Sequence, residues 1–475
     1  MRKLSPFPLL AIVFFFAFNA CEKSNNNSSS DLTQRVNNWI QEDMQIYYRW
    51  SDQMPNIDPA KESDPMAYFE KLLYKAEDKW SFITDDAQAL LESLDGIETT
   101  FGYSLAFGIF SNTQNVFAVV EYVYPNTPAA EGGVQRGDII IGIDGASLTL
   151  NNYTDVIYKP TGTMMMGVYD SSSGTIVQGG NVNLVARRLD LNPVHTAKVI
   201  NAGGKKIGYL FYTQYISNYD ETDLIPAFEH FQSQGVTDVV LDLRYNPGGA
   251  VSSAINLCSI LAPSSVVQNK SVLMTMQWNT FLQSYWAMED VLFLQNTFNK
   301  DVPVNMNLNS VYILTGSGSA SATELTITGL DPYMNVVLIG DTTYGKYAAS
   351  VTLQPEIERN NRWVPDPELS NWAIQPIVYT YANSAGVTNF KDGFPPHHVV
   401  KEDIIRNPTL LGYESEPLLA KAIELITGAT PIASNNLPAE RKNSFKYQII
   451  DRRFSRFDQF KNTAIEKLNV RRVEK

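Results

Sequence analysis

The sequence has little of what most often cross-links a fold, binds a metal or spans a bilayer. Only two cysteines, Cys21 and Cys258, occur in 475 residues, too few for a disulfide-stapled scaffold. The four histidines (His195, His230, His397, His398) lie in no motif. His397 and His398 sit in a proline-rich loop and are read as surface or core residues, so no metal and no cofactor is expected. Basic charge is also short: 37 Lys and Arg against 50 Asp and Glu leave a formal charge of −13. That balance argues against a nucleic-acid partner, which would normally meet a basic face. The apolar run at residues 9–18 is about half the roughly twenty residues needed to cross a bilayer. What is present, 44% hydrophobic and 18% charged residues, is the composition of a folded soluble chain long enough for two or three domains.

Arg2 and Lys3 precede the apolar run, and residues 1–20 therefore read as a secretory signal peptide. Ala20-Cys21 resembles a bacterial lipobox, which implies lipid on Cys21 and a cell-envelope location. That location would be a membrane anchor, outer-membrane in type, on the periplasmic or surface side. The alternative is a plain signal peptide with an incidental cysteine. Residues 21–30, containing KSNNNSSS, form a polar tether between lipid and folded body. Cys258 shares a helical face with Val251, Ile255 and Leu261 and reads as a core thiol.

Residues 31–96 read as a small N-terminal helical domain. Val36, Ile40, Met44 and Tyr47 recur on one face, and Asp64-Pro65 is an N-cap followed by a first-turn proline. Over residues 97–190 the texture changes to short β-rich runs (116–123, 138–143) separated by Gly and Pro turns. From 191 to 435 strands and helices alternate, as in an α/β layered domain. Its expected strands are 206–212, 237–243, 311–315 and 335–340, and its expected helices are 223–234, 250–261 and 322–330. Residues 436–475 are basic, with eleven Lys and Arg against five Asp and Glu after Pro438. They read as a solvated helical tail, with a membrane- or partner-facing role as the alternative.

Two segments carry chemistry. Leu241-Asp242-Leu243-Arg244-Tyr245-Asn246-Pro247-Gly248-Gly249 follows an apolar strand, and its Pro-Gly-Gly turn lets the backbone approach a bound group. Gly318-Ser319-Ala320-Ser321-Ala322-Thr323-Glu324 joins a strand to a helix. A serine there stands beside free N–H groups at the positive end of a helix, a place suited to an oxyanion, a phosphate or a simple N-cap. A third segment, Asp341-Thr342-Thr343-Tyr344-Gly345-Lys346, puts a lysine after an apolar strand, where lysines are unusual. A serine nucleophile needs a base, and with no histidine in a motif a neutral lysine can serve. Lowering its pKa from about 10.4 toward 7 or 8 costs roughly 3 to 4 kcal/mol of desolvation.

The segment Pro125-Asn126-Thr127-Pro128-Ala129-Ala130, Gly133-Val134-Gln135-Arg136-Gly137-Asp138 and Ile143-Asp144-Gly145 resembles a PDZ domain. The resemblance implies capture of a peptide C-terminus by strand addition, with Gly102, Tyr103, Ser104 and Leu105 in the place of the carboxylate-binding loop. The three chemical segments, in this order and spacing, resemble the C-terminal processing peptidase (tail-specific protease) family over about 330 residues. The family pattern is aliphatic-Asp-Leu-Arg-x-Asn-Pro-Gly-Gly, then Ser-Ala-Ser-Ala-Ser-Glu, then Thr-Phe/Tyr-Gly-Lys. The resemblance implies an α/β (ClpP/crotonase-like) layered catalytic domain with an inserted-type β-rich PDZ domain. It implies Ser321 as nucleophile, Lys346 as general base, and the amides of Gly248 and Ala322 as oxyanion hole. The activity implied is endopeptidase cleavage of unfolded or C-terminally exposed polypeptides. Thr323 replaces the last motif serine, Ser350 stands where many members have a lysine-orienting glutamine, and Tyr347 and Ala349 also depart from the pattern. Glu324 is expected as a helix-start partner. Two other classes remain: a non-catalytic binding lipoprotein on this scaffold, as in eukaryotic retinoid-binding relatives, and a PDZ adaptor with an inert α/β domain.

Overall fold

The structure, a computed structural model, describes residues 26–110, 114–429, 447–453 and 464–465. The expected signal peptide, Cys21 and the first residues of the linker lie outside the described residues. Helix α1 (Asn26–Tyr47) buries Val36, Ile40, Met44 and Tyr47 along the face that their spacing sets out. Helix α2 (Pro65–Leu72) starts where Asp64-Pro65 predicts, with the Asp64 carboxylate accepting the N–H groups of Met66 and Ala67. A third helix, α3 (Ala87–Leu94), comes after it. This unit does not have a core of its own: Tyr48, Tyr68, Phe69 and Leu72 pack with Leu369 and Ile374 from far along the chain.

Five antiparallel strands come next: β1 (Tyr103–Phe110), β2 (Val116–Val123), β3 (Ile139–Ile143), β4 (Thr161–Asp170) and β5 (Thr175–Val185). Alternate residues Leu105, Phe107, Ala118, Val120 and Ile140 face one apolar cluster, as a half-buried sheet requires. Arg136 ties this domain to the α/β region, donating to the Tyr245 hydroxyl at 2.8 Å and to Glu402, and it also donates to Glu121 O within the domain.

The α/β region begins with β6 (Val194–Ala202) and β7 (Lys205–Tyr212), then α4 (Ile225–Ser233), β8 (Asp238–Asp242), α5 (Val251–Leu261) and β9 (Val272–Trp278). It continues with β10 (Ser310–Thr315), α6 (Ala322–Leu330), β11 (Asn335–Gly340), β12 (Ala348–Ser350), β13 (Ile377–Asn383), β14 (His398–Val399) and α7 (Pro417–Thr427). The main sheet runs β6-β7-β8-β10-β11-β14, parallel throughout except for β6 against β7. Leu241 and Ile313 face one apolar cluster with α5 and α6, while Val240, Leu314 and Ile339 face another with α7. Burial on both faces explains the unbroken apolar runs of these strands. A second sheet, containing β9, β13 and β12, packs beyond α6.

The Asp-Leu-Arg segment has a structural task here. Arg244 is buried and holds Asp242 through Nε at 2.8 Å and Nη2 at 2.9 Å. It also reaches Glu416 with two bonds, at 2.6 and 2.8 Å, and Glu402 at 2.8 Å. Glu416 in turn caps α7 by accepting the Leu419 N–H. The strand that ends at the candidate site is thus pinned to the last helix through one guanidinium.

The tail corrects an expectation. Charge count predicts a helix in residues 436–475, but where described they are extended: β15 (Tyr447–Arg453) pairs antiparallel with β1, and β16 (Ala464–Ile465) pairs parallel with β12. Tyr447, Ile449 and Ile450 are strand-favouring residues that meet an open sheet edge, and that edge decides the outcome.

Removing the acceptor from the buried network, as in Glu416→Ala, should cost about 3–5 kcal/mol of stability, because Arg244 stays buried with a partner missing. Denaturant unfolding monitored by far-UV circular dichroism measures it. The exposed Lys61–Asp58 pair, broken by Lys61→Ala, should cost about 1 kcal/mol or less.

Candidate active site

Strand β10 leads through residues 316–320 into Ser321, which precedes α6 with φ 60° and ψ −111°. A left-handed φ at a serine is strained, and such strain persists only where surroundings impose it. Here the Ser319 hydroxyl donates to Leu243 O at 2.8 Å, Ala320 N–H to Asn246 O at 3.1 Å, and the Thr323 hydroxyl to the same carbonyl at 3.1 Å. The serine segment is therefore bonded along the Asn-Pro-Gly-Gly segment. Gly248, at φ +105°, sits so close that a Cβ would stand 2.8 Å from Ser321 Cβ and 2.9 Å from Ala322 N. Only glycine allows the two segments to meet.

Glu324 joins the third segment to these two. Its buried carboxylate accepts four donors: Ser321 N–H at 2.9 Å, Lys346 N–H at 2.8 Å, Gly345 N–H at 2.6 Å and the Thr343 hydroxyl at 2.7 Å. Burial pushes this carboxyl up to about 7, and the four donors hold it below where burial alone would put it. The helix-start role expected of Glu324 is present in its bond to Ser321, and its reach to Lys346 is the larger part of its work.

The clamp brings Ser321 and Lys346 side by side at the backbone level. The Tyr381 hydroxyl reaches both of their carbonyls, at 3.3 and 3.4 Å. Both residues are fully buried, and among the described residues neither Ser321 Oγ nor Lys346 Nζ has a hydrogen-bond partner. The Lys346 amine instead lies over the Trp80 ring, 5.3 Å from its centroid. Burial lowers its pKa well below the ordinary lysine value, against the opposing charges of Asp78 and Glu324. Asp78 is itself held by the Tyr48 hydroxyl at 2.8 Å and by the N–H groups of Trp80 and Ser81. Ser350 is buried on β12, and its hydroxyl also has no partner among the described residues. Tyr347 packs edge-on against Trp80, centroids 6.1 Å apart, and donates to Glu77. Its departure from the family pattern thus serves the wall over the lysine.

Asp78, Trp80 and Tyr381 are site residues that sequence reasoning missed, since no spacing relates them to the motifs. One expectation changes. The Gly248 amide, expected in the oxyanion hole with Ala322, donates to Asn246 Oδ1 at 2.8 Å, because the Asn-Pro-Gly turn closes on its own side chain. Ala322 N–H stands at the first turn of α6, where the helix offers no acceptor. Of the loop residues Gly102, Tyr103, Ser104 and Leu105, the last three are already in β1, and the Ser104 hydroxyl donates to Glu121 at 2.9 Å. Cys258 is a buried free thiol pushed up to about 12 by burial.

Glu324 has a pH signature. Its folded pKa of about 7 lies above the ordinary 4.5, so between these values the folded chain keeps a proton that the unfolded chain has lost. Its contribution to stability is therefore full below about 4.5 and falls as pH rises to about 7. Glu324→Gln removes that titration, so the wild-type advantage over this variant in unfolding free energy should shrink across the same window. Urea titrations at closely spaced pH values would read it.

The sequence model of peptidase family S41 matches residues 206–400, that of the peptidase S41 N-terminal domain residues 35–82, and that of a PDZ domain residues 119–163. A carboxyl-terminal-processing protease of Synechocystis is 26% identical over 355 residues, 72% of this chain and 73% of that protein. The corresponding protease of Picosynechococcus is 25% identical over 254 residues, 52% of this chain and 56% of its own. The chain thus spans from about half to about three quarters of the length of these curated relatives. A crystal structure of a protein described as an S41 protease, from Bacteroides fragilis, superposes with a TM-score of 0.65 at 28% identity. That match covers 82% of this chain and 97% of the other. Three domain matches in chain order, over the units that hold the clamped serine and lysine, make the chain similar to the serine-type, carboxyl-terminal-processing peptidases of family S41.

Proposed function

We propose that the protein is an endopeptidase acting on unfolded or C-terminally exposed polypeptides of the cell envelope, with Ser321 as nucleophile and Lys346 as general base. The observation that carries the proposal is the Glu324 clamp, which holds a strained serine beside a buried lysine whose ammonium form is disfavoured. Neutral Lys346 Nζ takes the hydroxyl proton as Ser321 Oγ bonds to the peptide carbonyl carbon. The displaced C=O electron pair becomes an oxyanion facing Ala322 N–H, with the Gly248 amide joining if it turns from Asn246. As the C–N bond breaks, the lysine passes its proton to the leaving amine. Water then attacks the acyl-serine with Lys346 again accepting its proton, and as the ester C–O bond breaks the lysine returns that proton to Ser321 Oγ and the acid product leaves.

In the arrangement seen here Lys346 rests on Trp80 and both reacting atoms are buried. Reaction therefore requires the amine to leave the ring and the Trp80 segment to admit a substrate strand. Ser350, four residues on and unbonded, is assigned to orient the amine once it moves. The PDZ domain is assigned to substrate capture by strand addition along β1, with the C-terminus toward Gly102. Lipid on Cys21 is assigned as the membrane anchor.

Casein hydrolysis by residues 31–475 tests the proposal. Ser321→Ala and Lys346→Ala should each lower turnover by about 10³-fold or more while leaving the fold intact. Turnover that survives Ser321→Ala overturns it. The pH profile supplies a second test. Activity should rise with pH through the Lys346 pKa, so its acid limb lies well below the ordinary lysine value. Asp78 favours the ammonium, so Asp78→Asn should move that limb to lower pH. A shift to higher pH would contradict the assignment of the base.

A further inference from the structure

We infer that residues 447–453 are an intramolecular ligand of the PDZ domain, occupying the strand-addition edge that a substrate peptide takes, so that tail and substrate compete. The inference rests on the assignment of the PDZ domain to substrate capture. β15 runs antiparallel to β1, with Arg453 opposite Leu105 and Tyr447 opposite Phe110. The C-terminal end of the tail strand therefore lies at the Gly102 end of β1, the polarity of a peptide whose terminus approaches that loop.

The side chains fit the edge. Ile449 joins the apolar cluster of Ala106, Phe117 and Val119, and Tyr447 packs edge-on against Phe117 with centroids 5.5 Å apart. Asp451 accepts from the Tyr153 hydroxyl at 2.9 Å, just ahead of the short helix Asp155–Tyr158 that flanks β1. Arg452 pairs with Glu121, lies 6.0 Å from the Tyr245 ring centroid, and brings its Cδ to 3.9 Å from where a Cβ on Gly318 would be. One residue of the tail thus pairs with the PDZ domain beside the Arg-Tyr-Asn and serine segments.

Residues 449–452 form a wall of a cleft of about 370 Å³ that Pro247, Gly318 and Tyr344 also line. Farther on, Ala464–Ile465 pairs with β12, the strand that begins two residues after Lys346. Two described pieces of the tail thus lie at the PDZ edge and on the strand beside Lys346. Because the tail is covalently attached, its effective concentration at the edge is of millimolar order, enough to exclude a weak peptide.

The test uses the full chain carrying Ser321→Ala, so that binding is read without turnover. The probe is a fluorescein-labelled peptide with the sequence of residues 444–453 and a free carboxylate. Ile449→Asp should expel the tail from the apolar cluster, and Arg452→Glu should set like charges against each other at Glu121. Each variant should bind the probe at least about tenfold more tightly than the parent by fluorescence anisotropy. With Ser321 restored, KM for casein should fall and kcat should hold. Equal tight binding to parent and variants would show that the tail does not occupy the edge, and no binding to any of them would show that the edge is not a peptide site. Either result overturns the inference. If no form of the protein cleaves casein, the proposed activity fails, and anisotropy still decides the competition.

Discussion

A single buried carboxylate sets the geometry on which the rest of the site depends. Glu324 gathers donors from its own helix start and from the segment around Lys346, nineteen to twenty-two residues onward. Without that carboxyl group, three backbone N–H groups and one hydroxyl would be buried facing each other, a costly arrangement. The clamp also opposes relaxation of Ser321 from its left-handed conformation, because the Ser321 amide is one of its donors. Helix α6, buried along its whole length between two sheets, carries the carboxylate there. The fold thus transmits the rigidity of a packed core to two side chains that have no hydrogen bond of their own.

The electrostatics of the lysine arise from its surroundings. Desolvation lowers its pKa and two carboxylates oppose the shift. One of them, Glu324, is the smaller influence on the lysine and is itself held by neutral donors. The other, Asp78, reaches the site on the N-terminal unit together with Trp80. That unit shares its core with residues 369 and 374 of the α/β region, so the wall over the lysine is fixed to the catalytic body on one side. A wall supplied by a separate stretch of chain can exclude water and still be moved, as burying an amine and admitting a substrate both demand.

How much of this is legible in the sequence depends on whether the signal is local. Strand Asn335–Gly340 and helix Ala322–Leu330 match their expected bounds residue for residue, because an apolar run and a Ser-x-x-Glu start report directly on periodicity and capping. The Asp64-Pro65 helix start matches for the same reason. The Ser321 and Lys346 segments are visible as motifs, but their meeting through Glu324 is not, since only the structure shows where four donors converge. Asp78 and Trp80 lie more than 260 residues from Lys346 and carry no pattern at all. The bonding of the Gly248 amide departs from expectation because its acceptor is the neighbouring asparagine side chain, a turn detail that a motif does not encode.

The tail shows the same limit from the other side. Its basic composition suggests a solvated helix, yet composition does not describe the surface that a segment meets. Strand β1 has β2 on one side only, and its other edge would expose a row of N–H and C=O groups beside Phe107 and Phe110. An edge of that kind recruits any available strand. The available strand here is Tyr447–Arg453, which adds an apolar residue to the cluster and an arginine to Glu121. Backbone pairing alone cannot distinguish one extended strand from another at such an edge. The choice of strand is therefore made by side chains, and here Ile449 in the apolar cluster and Arg452 on Glu121 make it.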